Sequence, residues 1–305
     1  MVLFISSTFM LSCKKENSGT NNLTPSQEQE SVSNSSEADA EAEIIFDGIF
    51  DNVMGVNNEV GMEGTGIFGQ KTEFGSGETA RTDSLYPTTR CFKVTITLIS
   101  PPNKFPSKIV TDFGTAGCKG KDGHVRKGKI ITTYTNRLIY PQASATTTFE
   151  NFSIDEIKIV GVHKITNTST ANIRSFNVRV ESARIDKPNN NYTEWNSTKN
   201  ITQIEGLGTP ELPFDDIFKI EGYANGKVKH GNNIVLYRSE IVEPLIKKFN
   251  CRWIVKGKIK TWRATNSTAT TPTDAVLAVL DFGDGSCDNK ATLTVNGITK
   301  QISLH

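Results

Sequence analysis

The chain has 305 residues with 34 Lys and Arg against 33 Asp and Glu, which gives a formal net charge of +1. Because the charges balance and no dense basic run interleaves with aromatic residues, we expect no nucleic-acid partner. The length is sufficient to bury a large core in one or two domains.

The N-terminus begins with an apolar stretch, residues 2–11, which is half of the roughly 20 residues that a bilayer-spanning helix needs. Leu11-Ser12-Cys13 follows and matches the pattern of a lipobox. We therefore predict a lipoprotein signal peptide over residues 1–12 and lipid attachment at Cys13. The absence of Lys or Arg before the apolar stretch departs from the usual signal peptide. Lipid on Cys13 would hold the protein on a membrane without spanning it.

The segment after Cys13 is polar: residues 14–43 contain two Lys and seven acidic residues and little to bury. Such a composition predicts a flexible tether, which we place over residues 13–36. The rest, residues 37–305, is predicted to be a β-rich globular domain. Weak internal similarity suggests two related halves within it, residues 78–165 and 166–305.

One helix is predicted at the start of the globular part, because apolar residues recur at helical spacing in residues 44–54. Ser36 and Asp39 fit a capping box, and Gly55 fits a helix stop. We expect this helix to pack on a sheet rather than to bind a partner. A literal G-x-G-x-x-G at Gly64 follows, but without a strand before it or a helix after it we expect no cofactor.

Strands are predicted from Cys91 onward, where apolar and polar residues alternate in runs separated by Gly, Asn or Pro. Asn225-Gly226 and Asn296-Gly297 are typical of two-residue hairpin turns. The fold class is therefore mainly β: an antiparallel meander or sandwich of about ten to twelve strands, with one N-terminal helix packed on it. The predicted runs are 92–100, 108–112, 127–140, 145–152, 156–166, 173–185, 192–205, 217–224, 227–237, 252–261, 275–281 and 291–304.

Four further cysteines lie in this domain, and two of them end matching frames, Asp-Phe-Gly-x-x-x-Cys, at Cys118 and Cys287. The match favours disulfides between Cys91 and Cys118 and between Cys251 and Cys287, although four cysteines allow three pairings. Free thiols or a metal site are the alternatives. In each frame we expect Asp to accept turn N–H groups, Phe to pack inward and Gly to adopt the turn conformation.

Candidate binding residues form two groups, and no pattern of a catalytic site accompanies them. Asp281, Asp284 and Asp288 supply oxygen ligands in the second frame, although their spacing departs from an EF-hand loop. Four aromatic residues in polar, turn-flanked surroundings could stack on a sugar instead of packing at sheet edges. These are Tyr192, Trp195, Tyr223 and Trp262.

The residues also support a family resemblance. The chain resembles a group of Bacteroidota lipoproteins in three features. These are the start Leu11-Ser12-Cys13-Lys14-Lys15, the helix over residues 42–53, and the two Asp-Phe-Gly-x-x-x-Cys frames with the residues that follow them, 122–130 and 288–291. That group has no assigned activity, so the resemblance implies only architecture and location in the cell envelope, as an outer-membrane lipoprotein.

The expected function is non-catalytic: binding of a glycan, a protein or another envelope component by a lipid-anchored protein. A carrier that shelters an apolar ligand in a curved half-barrel is a second hypothesis, and a hydrolase of envelope polymers is a third. A deep apolar pocket under the helix would favour the carrier. A flat aromatic strip would favour a glycan ligand, and a buried His beside Asp and Ser would favour the hydrolase.

Overall fold

The structure, a computed structural model, describes residues 23–55, 80–82, 91–120, 122–208, 215–264 and 276–304. The predicted signal peptide, Cys13 and the Gly64 motif lie outside these residues. The described elements are α1 (Pro25–Met54), β1 (Ala80–Thr82), β2 (Lys93–Leu98), β3 (Ser107–Asp112), β4 (Cys118–Lys119), β5 (Val125–Tyr134), β6 (Ser144–Ile154), β7 (Ile157–Asn167), β8 (Ser175–Asp186), a 3₁₀ turn (Pro188–Asn190), β9 (Tyr192–Glu205), β10 (Ile217–His230), β11 (Asn233–Lys248), β12 (Ile254–Arg263), β13 (Leu277–Asp284), β14 (Lys290–Val295) and β15 (Ile298–Ser303).

The strands form one antiparallel sheet, which confirms the predicted fold class. Fourteen of the described strands follow one another in chain order across the sheet, and β4 pairs with β5 off that path. The sheet is a single meander, and the predicted division between residues 165 and 166 falls inside β7. Because β7 pairs with both β6 and β8, the sheet is continuous there.

The sheet curls around α1, which contacts β7 and each strand from β9 to β14. A row of buried, mostly small residues crosses twelve strands on the inner face, and the small side chains allow the helix to lie close to the backbone. The row consists of Ile96, Ile109, Thr132, Thr147, His163, Val180, Ser197, Ala224, Ser239, Thr261, Ala278 and Val295.

Helix α1 is much longer than predicted, so the tether prediction is wrong for residues 25–36. The helix begins after Thr24, whose side chain accepts from the Gln27 N–H in a capping box, and Pro25 suits the first turn. Its end was predicted correctly, since Gly55 adopts the left-handed conformation with φ of 79°. No described helix combines the length and hydropathy needed to cross a bilayer.

One predicted hairpin turn is correct and the other is wrong. Asn296 and Gly297 both have positive φ and connect β14 to β15. Asn225 and Gly226 instead lie inside β10, where Gly226 is opposite Trp195. A Cβ on Gly226 would lie 2.5 Å from the Glu194 carbonyl oxygen and 2.6 Å from the ring of Tyr237. Glycine is therefore required here by close contacts with both neighbouring strands, which the local sequence cannot reveal.

The two matching frames have the predicted structure. Asp112 accepts a hydrogen bond from Gly114 N–H and Asp281 from Gly283 N–H, each at 2.9 Å. The phenylalanine that follows each aspartate is buried. Disulfides join Cys91 to Cys118 and Cys251 to Cys287, as the frames favoured. Sequence separations of 27 and 36 residues correspond to about 3–4 kcal/mol of stabilisation per bridge on loop-entropy grounds.

Candidate binding cleft beside the N-terminal helix

The helix and the sheet meet through an extensive charged interface. Helix α1 contains eight acidic residues and no Lys or Arg. Six of those acids pair with five bases of the sheet and its loops. The pairs are Glu28–Arg263, Glu37–Lys300, Glu41–Lys187, Glu43–Lys199, Asp47–Lys247 and Asp51–Lys247.

Lys247 is the deepest of these bases, since its side chain is completely buried. Its ammonium lies 2.7 Å from Asp47 and 3.0 Å from Asp51. Burial lowers the pKa of Lys247, but the two carboxylates outweigh burial and raise it above its ordinary value. Burial raises the pKa of Asp51 to about 7, although Lys247 opposes this rise. Burial therefore brings the titration of the Asp51 carboxyl close to neutral pH.

Three of the four aromatic residues predicted as a sugar platform are buried, so that prediction is wrong for them. Trp195 is fully buried, and its indole N–H donates to Asp39 at 2.8 Å. Tyr192 is buried with the Arg184 guanidinium 3.9 Å from its ring centre, and Trp262 is also buried. Tyr223 alone is exposed, and one ring does not form a platform. Each strand alternates inward and outward positions: Trp195 falls on the inward face, against α1, whereas Trp262 follows the inward-facing Thr261 and is buried on the opposite face.

The three aspartates predicted as metal ligands do not converge. Each accepts a backbone N–H from the residue two positions ahead: Gly283 for Asp281, Ser286 for Asp284 and Lys290 for Asp288. Each carboxylate therefore stabilises its own turn. No cluster of three His, Cys, Asp or Glu suited to a metal ion occurs among the described residues.

A cleft of about 300 Å³ lies beside α1, at the lower end of the size range of small-ligand pockets. One wall is β15 and the residue after it, and the other is the end of β10 with the loop that precedes β9. Buried and half-buried residues on one side of α1 form the floor. The lining residues are Asn34, Glu37, Ala38, Ala40, Glu41, Ile44, Lys187, Asn191, Val228, Lys229, His230, Ile302, Ser303 and Leu304.

The cleft has an apolar interior and a polar rim. The apolar lining consists of Ala38, Ala40 and Ile44 on the helical floor and Ile302 and Leu304 on the wall formed by β15. On the rim, the Asn34 amide lies 3.4 Å from the His230 ring. Glu37 and Glu41 are already paired with Lys300 and Lys187, so they neutralise bases at the cleft instead of presenting free carboxylates. This arrangement suits binding through shape and hydrogen bonds.

The described histidines do not form a nucleophile–base arrangement. His124 lies 2.5 Å from Asp155, but its other ring nitrogen accepts from Arg252 at 2.8 Å and is therefore occupied. His163 is buried against Phe46. Burial, and to a smaller extent Lys199, lowers the pKa of His163 to about 3. His230 contacts Asn34 at the rim.

Sequence analysis missed the cleft because its floor, residues 34–44, includes positions assigned to the tether. A signal was present: Ser31, Ser35, Asp39, Glu43, Asp47 and Asp51 recur at intervals of four residues. This spacing of about one helical turn indicates a polar stripe along a helix that begins well before residue 44.

The fold and cleft define a one-sheet antiparallel β-protein whose sheet packs around an acidic N-terminal helix. Comparison with protein-family models, curated proteins and solved structures gives no match.

Proposed function

We propose that this chain is an exported, lipid-anchored envelope protein with a non-catalytic binding role, and that the cleft beside α1 is its ligand site. The observation that carries the proposal is the cleft itself, which joins an apolar floor to a hydrogen-bonding rim. The two disulfides support an oxidising compartment, as expected outside the cytoplasm. The lipobox at Cys13 supports anchoring at the outer membrane.

The ligand class favoured by the cleft is a protein rather than a glycan. No Phe, Tyr or Trp lines the cleft, so it lacks the large aromatic faces on which sugars stack. The rim instead offers amides and charged groups, and the interior offers aliphatic side chains, which suit a polypeptide.

The other two hypotheses have less support. The inner face of the sheet beneath α1 is filled by side chains such as Phe46, Phe50 and Trp195, which leaves little room there for an apolar cargo. The buried histidine, His163, lies beside Phe46 and has Thr147 and Val180 as its cross-strand neighbours, which does not match the Ser and Asp that a hydrolase requires.

The anchoring part of the proposal predicts that Cys13→Ala moves the protein from the membrane fraction to the soluble fraction of cell envelopes. Two acyl chains suffice for stable anchoring, and the substitution removes the attachment atom. Fractionation with globomycin, which blocks lipoprotein processing, is the independent check. Unchanged membrane association of the variant would contradict the anchor.

The cleft part predicts that His230→Trp abolishes recovery of the native ligand. His230 is exposed, lines the cleft and contacts Asn34 of the helix, so a larger ring there fills the cleft without entering the core. Glu221→Trp is the matched control, because Glu221 is exposed on the same strand but does not line the cleft. The measurement is chemical crosslinking in the native envelope followed by purification. Equal recovery by both variants and wild type would refute the cleft as the site.

A further inference from the structure

The cleft is bordered by an edge strand. Among the described strands, β15 pairs only with β14. Five of its six residues are exposed, and the sixth, Ile302, is half-buried. An unpaired edge presents a row of backbone N–H and C=O groups that another strand can bind.

The register identifies which of these groups are available. Leu304 N–H donates to the Asn289 carbonyl at 2.7 Å, so this pair is hydrogen-bonded. Hydrogen-bonded positions alternate along an antiparallel strand, which assigns Ile302, Lys300 and Ile298 to the bonds with β14. The N–H and C=O groups of Thr299, Gln301 and Ser303 therefore point away from β14.

The cleft provides contacts for the side chains of an added strand. Ser303 is the last residue of the free edge. Its neighbours Ile302 and Leu304 line the cleft, as do Ala38 and Ile44 of the helix. Side chains of an extended chain alternate between two faces, so every second residue of a segment paired with β15 would point toward this apolar interior.

The charged residues around β15 favour some partner strands over others. The β14–β15 hairpin contains Lys290 and Lys300 and no acidic residue. The opposite wall adds Lys187 and Lys229. Glu37 and Glu41 offset two of these four bases, Lys300 and Lys187, so the surroundings of the edge keep a net positive charge. Pairing two copies of β15 about Gln301 would place the two Lys300 side chains at diagonal positions on the same face, which their like charge disfavours.

We propose that β15 is a docking edge that receives an extended, acidic segment of a partner polypeptide as an additional strand. This inference rests on the proposed function and specifies its ligand class. Backbone hydrogen bonds to Thr299, Gln301 and Ser303 would supply affinity, and the cleft and the lysines would select the side chains.

The test is amide hydrogen exchange by NMR on the intact protein, with two synthetic peptides of about eight residues, a typical strand length. One peptide alternates Val with Glu and the other alternates Val with Lys. The Val–Glu peptide is expected to slow exchange at Thr299, Gln301 and Ser303 about tenfold when its concentration is about ten times Kd. The Val–Lys peptide is expected to leave these rates unchanged.

Gln301→Pro is expected to abolish this protection. Its N–H has no partner in β14, and proline is tolerated on edge strands, so the fold should persist. Gln301→Ala is the matched control, since it keeps the N–H and should retain protection. A Val–Glu peptide methylated on alternate amides should fail to bind wild type, which tests the same bonds without altering the protein.

Absence of protection by the Val–Glu peptide, or equal protection by both peptides, would overturn the inference. Protection that grows with protein concentration alone would also overturn it, because the occupant would then be a second copy. These outcomes are distinguishable from failure of the proposed function. If His230→Trp still removes the native ligand, the cleft remains the site and only the ligand class is wrong.

Discussion

Replacing Lys247 with Met is expected to lower the free energy of unfolding by about 3–5 kcal/mol, because it leaves buried carboxylates without their counter-charge. Lys247 is fully buried and contacts Asp47 at 2.7 Å. Methionine has a similar length and can occupy the same space, so the loss measures charge rather than volume. Denaturant unfolding of wild type and variant at neutral pH is the measurement.

Two further variants control this prediction. Lys248→Met changes the neighbouring lysine, which is half-buried and donates to the Gly285 carbonyl, and should cost less than about 1 kcal/mol. Adding Asp47→Leu and Asp51→Leu to Lys247→Met should recover about half of the loss or more, since apolar residues often replace buried ion pairs without penalty. Equal losses for Lys247→Met and Lys248→Met would show that the buried cluster of Lys247, Asp47 and Asp51 does not stabilise the packing of α1 on the sheet.

The second large effect is a loss of folding stability at acid pH, which we expect the buried His163 to cause. Its pKa is about 3 in the folded protein and 6.5 as a free side chain. The unfolded chain therefore binds the proton first, so the contribution of His163 is fully present above about pH 6.5 and is lost as pH falls toward 3. The loss between pH 6.5 and pH 4 amounts to about 3 kcal/mol.

His163→Leu is expected to remove this part of the acid dependence. The variant should be about as stable as wild type near pH 7 and more stable at pH 4, as measured by unfolding at several pH values. Thr147→Val alters the buried cross-strand neighbour of His163 without a titrating group and should shift stability equally at every pH. If His163→Leu keeps the wild-type dependence of the free energy of unfolding on pH, another group is responsible for the acid sensitivity.

Much of the fold was predictable because its strands follow local rules. Alternation of apolar and polar residues identified most strands, and Asn296-Gly297 marked a real turn. The two Asp-Phe-Gly frames also behaved as their local chemistry indicated. The turn predicted at Asn225-Gly226 was wrong because Gly226 is required by contacts with Glu194 and Tyr237 on the two neighbouring strands, which the residues around it do not reveal.

The site was less predictable because its helix depends on tertiary contacts. Residues 25–36 have few apolar side chains, and isolated helices of this kind are marginal. The sheet supplies the missing stabilisation through bases such as Arg263 and Lys300, which lie more than 200 residues away. The aromatic prediction failed for the same reason: Trp195 has a polar sequence context but faces Asp39 of the helix.

Hydrogen exchange of the backbone amides in residues 25–43 tests the central claim most directly, because this part of α1 includes most of the floor of the cleft. A helix held inside the sheet should show protection there comparable to that of the central strands β9 to β11. Exchange at the rate of an unstructured chain across these residues would contradict the account, since a tether in this position can form neither the charged interface nor the cleft.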